Sequence, residues 1–182
     1  MLIASGPQAL KLVDVARSAG ISNAAVLHHF GSIDEVQTAL MERMIRQLVE
    51  RILATTSEDH ATLETATRSV VALFDAFETR GAARLAAWLE LTGEARRLTV
   101  VREAVQQVIA VRAAQFPDVA AGELEDFTVL CIVAALGVGL HGATLSALLG
   151  KPAGRARELT LSMLIGRLRQ ALAGADAAAE VS

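Results

Sequence analysis

Cysteine, proline and aromatic residues are all scarce in this chain of 182 residues: one Cys, three Pro, five Phe, one Trp and no Tyr. The lone thiol, Cys131, excludes an intrachain disulfide framework and fits a reducing cytosol. Prolines only at 7, 117 and 152 leave long uninterrupted stretches rich in Ala and Leu, which favours an all-α protein over a sheet. So few aromatics argue against an aromatic cage for a cationic drug. Charged residues make up 20% against 53% hydrophobic, which excludes a disordered chain. Catalytic signatures are missing too: no serine in a nucleophile elbow, no Gly-rich phosphate loop, and no repeated Glu-x-x-His of a di-metal bundle. The sequence therefore predicts no enzyme, no cofactor and no metal site. Without a basic segment behind Met1, no signal peptide is expected, and the reading is of a cytoplasmic protein.

The charge that is present is unevenly spread. Residues 1–33 hold Lys11 and Arg17 against Asp14 alone, a net +1, while the total is -3. That asymmetry has the right sign for DNA at the N-terminus, although a strong phosphate binder carries more.

Val13 to Phe30 reads as two short helices around a tight turn, Leu12–Ala19 and Asn23–Phe30. Val15 and Ala16 give the first an inward face, Gly20 relaxes the turn, and Ser22 caps the second, with Val26 and Phe30 inward. Such a unit presents its second helix to a DNA major groove. Ser32-Ile-Asp-Glu35 forms a capping box for a helix of roughly twenty residues with Val36, Leu40, Met44, Leu48 and Ile52 at four-residue spacing, flanked by Ile45 and Val49.

Further helices are expected over Leu63–Thr79 (Val70, Phe74 and Phe77 inward), Ala82–Leu91, Ala95–Phe116 (Val101, Val105, Val108 and Ile109 apolar), Glu123–Leu149 and Ala153–Ala173. Thr55 to Ala61 is a polar connection, and the tail after Gly174 is expected to fray. The apolar run Phe127–Leu149 is long enough to raise a membrane span. Its isolation and amphipathic neighbours favour a buried or interface helix instead.

The block from Leu10 to Leu40 resembles the TetR family of bacterial regulators. The similarity rests on Asp14-Val-Ala-Arg-Ser-Ala-Gly-Ile-Ser22, then Val26, His28-His-Phe30, Ser32 and Glu35-Val36. The rest of the chain resembles the family only in helix number, helix length and the place of the apolar penultimate helix. The resemblance implies a DNA-binding domain over 1–33 and a ligand-binding and dimerisation domain over 34–182. It implies a homodimer on a double-stranded DNA operator, a repressor released by a small hydrophobic effector, and last helices that pair between subunits. The sequence departs from the pattern at Lys11, Asn23, Leu27 and Ile33, where the family usually has a cap threonine, a basic residue, a tyrosine and a lysine. Only Leu2-Ile-Ala-Ser5 stands where the family has a complete first helix. A related dimeric ligand- or protein-binding module that has lost specific DNA binding is therefore the alternative.

On this reading Lys11 and Arg17 are candidate phosphate contacts, Asn23 and His28 reach base edges or phosphates, and Ala24 with Ala25 offers a smooth surface for thymine methyls, plain packing being the alternative for these alanines. Arg17 as a merely solvated residue stays open, as does one of His28 and His29 half-buried against the following helix. Phe74, Phe77, Trp88, Phe116, Phe127 and Cys131 are expected from five helices around an effector cavity, with Trp88, Arg102 and Thr128 as polar anchors; a plain packed core is the alternative. Gly137, Gly139, His141 and Gly142 form a candidate dimer seam with Leu159 and Met163, since each helical glycine costs about 1 kcal/mol that close approach to a partner helix would offset.

Overall fold

Two serine caps and one left-handed glycine set the N-terminal architecture. In the computed structural model, which describes residues 6–54, 62–78, 81–93, 99–117 and 119–179, all regular structure is helical. A single 3-10 turn, Pro7–Ala9, precedes helices α1 (Leu12–Ala19) and α2 (Asn23–Phe30). Gly20 ends α1 at φ 69°, a conformation that a side chain would strain. Ser22 Oγ accepts the Ala25 amide at 3.1 Å to start α2, and Ser32 Oγ accepts the Glu35 amide at 3.1 Å to start α3 (Ile33–Ala54). These are the expected boundaries and caps. Leu2 to Ser5 lie outside the described residues.

Ala16, Val26 and Val36 form a small core of their own, with Leu12, Val15, Phe30 and Ile33 against it. Helix α3 leaves that core and runs into a larger one, burying Met41, Ile45, Leu48, Val49 and Ile52. There it meets α4 (Leu63–Glu78), α5 (Ala82–Leu91) and α6 (Thr99–Gln115). The packing there forms two clusters: Phe74 and Leu164 of the last helix are fully buried in one with Leu48 and Ile52, and Leu85 and Leu89 in the other with Met41, Ile45 and Val49. The expected connection from Thr55 to Ala61, the end of α4 at Thr79 and the start of α6 at Ala95 fall outside the described residues.

The long apolar helix is not regular. It consists of α7 (Ala121–Gly137), a π-helical turn (Val138–Gly142) and α8 (Ala143–Leu148). The wide turn coincides with two of the three glycines, where low helix propensity makes a local change of winding inexpensive. The closing helix α9 covers Arg155–Ala179, starting later than expected and running past Gly174 rather than fraying there. Arg157 anchors it to α4, donating to Asp75 at 2.6 Å and Glu78 at 2.9 Å.

Candidate functional site

The outward side of the N-terminal helix pair carries every residue expected to meet DNA. Lys11, Arg17, Asn23, Ala24 and His28 are all exposed. Burial of Val26 turns α2 so that Asn23, Ala24, Leu27 and His28 share its free side. Leu27 is 43% exposed there, a large apolar residue on an open surface. Arg17 lies 3.4 Å from Asp14, so part of its charge is already answered within α1. Neither His28 nor His29 is half-buried against α3. Both are exposed, and His29 instead sets its ring edge-on to Phe30 at 4.6 Å.

A second feature lies inside the larger core: a cavity of about 200 Å³ between α3, α4, α6, α7 and α9. Its walls are overwhelmingly apolar. Phe77, Phe116, Phe127, Thr128 and Cys131 line it as expected, together with the Val101, Val105 and Val108 stripe of α6. Burial pushes the Cys131 thiol up to about 12, so it stays a neutral, unreactive part of the wall. Thr128 turns its hydroxyl back to the Leu124 carbonyl at 2.8 Å and is not poised to donate into the cavity.

Three expected lining residues are elsewhere. Phe74 is fully buried in the packed core and does not reach the cavity. Arg102 is exposed on the outer side of α6. Trp88 points toward the N-terminal turn, where its indole N–H donates to Gln37 Oε1 at 3.0 Å and its ring borders a cleft with Pro7 and Arg84. Phe74 and Phe77 share α4, Phe127 and Cys131 share α7, Trp88 lies on α5 and Phe116 just beyond α6, so these residues come from four places along the chain and not five.

Among the described residues two cations line the cavity, the exposed Arg167 and the partly buried Arg112. Arg112 continues the α6 stripe, since Val101, Val105, Val108 and Arg112 are spaced by four, three and four residues. The guanidinium donates to Gln115 Oε1 at 2.8 Å and to the Ser69 hydroxyl of α4, which in turn donates to the Thr65 carbonyl at 3.1 Å. Burial depresses its pKa below the ordinary value, yet a guanidinium keeps its charge under all physiological conditions.

The glycine segment lies close to other parts of its own chain. A Cβ on Gly139 would stand 2.8 Å from Ala83 Cβ and 2.9 Å from the Phe77 carbonyl oxygen. One on Gly142 would meet Val138 at 3.1 Å and Ala156 at 3.4 Å. Both glycines thus serve close packing within the chain. Gly137 and His141 do face outward, as do Leu159 and Met163 of α9. Val129, Val133, Leu145 and Leu148 extend this exposed apolar face along α7 and α8. Among the described residues the run Ala121–Leu148 is long and apolar enough to cross a membrane by length and composition. Its other face buries Cys131, Ala135, Val138 and Gly142 within the helical core.

No protein-family model, curated protein or solved structure matches the chain.

Proposed function

We propose that this chain is a TetR-type transcriptional regulator, a cytoplasmic homodimeric repressor that leaves its DNA operator when a small hydrophobic effector fills the core cavity. Helix α3 carries this reading. Its first turn belongs to the small N-terminal core through Ile33 and Val36, and its later turns wall the cavity through Ile45, Leu48, Val49 and Ile52. One rigid element thereby touches both the helix pair that would read DNA and the space that would hold an effector.

In this account residues 1–33 form the DNA-binding domain and 34–182 the ligand-binding and dimerisation domain. Helix α2 offers Asn23, Ala24, Leu27 and His28 to the major groove, while Lys11 and Arg17 contact phosphates. Two copies place their α2 helices about 34 Å apart on successive major grooves. Val129, Val133, Leu145, Leu159 and Met163 supply the apolar face on which the copies meet. Arg155, Glu158, Arg167 and Arg169 are exposed on α9 beside Leu159 and Met163, which suits a protein partner with a polar rim better than lipid. The effector acts by population shift: it binds better to the conformer whose α2 spacing misfits the operator.

A salt-dependent titration of the full chain against the DNA upstream of its own gene tests the reading. Expected is tighter binding than to unrelated duplex, weakening as salt rises. The thin cationic surface favours a second reading, a dimeric ligand- or protein-binding module without specific DNA recognition. Affinity equal to that for unrelated duplex would select it.

A further inference from the structure

The cavity joins two properties that do not suit one another without a third component. Its walls are mainly aliphatic and phenyl groups, yet Arg112 is part of the lining. Among the described residues no carboxylate pairs with Arg112; the acceptors it meets, Ser69 Oγ and Gln115 Oε1, are neutral. Among the described residues the other charged ones at the cavity, Glu123 and Arg167, are exposed and of opposite sign.

Holding a charge in apolar surroundings on neutral partners is unfavourable. A neutral hydrogen-bonding side chain could link α6 to Ser69 of α4 without that cost. Arginine differs in presenting five donors in a planar fork, which matches the two oxygens of a carboxylate. Only two of those donors have the protein acceptors just named.

We infer that the cavity takes an amphiphilic carboxylate, its anionic head on the Arg112 fork beside Ser69 and its hydrocarbon body along Val101, Val105 and Val108. This rests on the cavity being the effector site and adds the chemical class of the effector. The Ser69 hydroxyl, already donating to Thr65, holds the guanidinium in place instead of binding the head itself. The head group lies where α6 meets α4, and the body runs toward α3, so occupancy is felt by the helix that leads to the N-terminal pair.

Calorimetric titration of the full chain with decanoate and with decanol tests this, because the two share a tail and differ in charge. The carboxylate is expected to bind about tenfold tighter or more, as a charge-assisted pair beside apolar walls requires. In Arg112→Gln decanoate should fall to the level of decanol while decanol is unchanged; Arg112→Lys, which keeps charge without the fork, should lie between. Equal affinities of the two ligands for the wild-type chain would overturn the inference and leave the effector cavity standing. Failure of both to bind would overturn it together with the cavity's role. The wild-type comparison decides the matter even if Arg112→Gln does not fold.

Discussion

The side-chain amide of Gln37 spans from Trp88 to Pro7. It accepts the indole N–H at 3.0 Å and donates to the Pro7 carbonyl at 3.0 Å, and only 3% of Gln37 is exposed. One residue in the second turn of α3 thus pins α5 and the N-terminal turn together. In the regulator reading, this clamp sets the attitude of the helix pair relative to the effector-binding helices.

Replacing it by a residue of similar bulk, Gln37→Leu, leaves an indole N–H and a carbonyl without their partner. The expected loss is about 1–3 kcal/mol of stability. Trp88 is the sole tryptophan, so its emission should change in the same variant. Unchanged emission and an unchanged denaturation midpoint would refute the clamp.

Gly139→Ala drives a methyl group against the Phe77 carbonyl and Ala83, and should destabilise by about 1–3 kcal/mol, the usual range for overpacking. Gly122→Ala, also in a helix but with open space around it, should be neutral or stabilising by up to about 1 kcal/mol. Urea denaturation at two protein concentrations checks both. The Gly139→Ala loss is expected at either concentration, because the contact lies within one chain.

Val133 and Met163 are each 60% exposed on the apolar face of α7 and α9. The double variant Val133→Lys, Met163→Lys should convert a dimer to monomer while helical circular dichroism is retained. Sedimentation velocity reads the change. A monomeric wild-type chain would remove the proposed interface.

Stability should fall as pH rises above 9, because burial raises the Cys131 thiol from 9.0 to about 12 in the folded chain and unfolding releases its proton. The contribution is complete below pH 9 and declines as pH climbs toward 12. Cys131→Ala should remove this part of the alkaline slope in denaturation midpoints. An identical slope in both proteins would contradict the assigned burial.

Much of the backbone was readable beforehand for local reasons. Ser22, Ser32 and Gly20 are capping and turn residues whose effect depends on the neighbouring few positions, and α1 and α2 fall where they imply. The inward faces of α3 and α4 followed from helical spacing in the same way. The long-range chemistry was less accessible. Trp88 looks like a cavity anchor until Gln37, 51 residues away, is seen to accept its N–H. Arg102 is exposed while Arg112 lines the cavity, a position that the valine stripe of α6 reaches through a further step of four residues. The glycines at 139 and 142 announced a close approach correctly. Spacing alone cannot distinguish a neighbour in the same chain from one in another copy, and the neighbours proved to be Phe77, Ala83 and Ala156.

Ala24→Glu offers the most direct measurement, because Ala24 is exposed in the first turn of α2, where a carboxylate suits the helix dipole and leaves the packing intact. Wild-type chain and variant are titrated by fluorescence anisotropy against the upstream duplex and an unrelated duplex at several salt concentrations. The account predicts that the wild type prefers the upstream duplex and that the new carboxylate weakens that binding by about tenfold or more, through repulsion from DNA phosphates. Equal binding of both proteins, or no preference by the wild type, would contradict a DNA-reading role for α2.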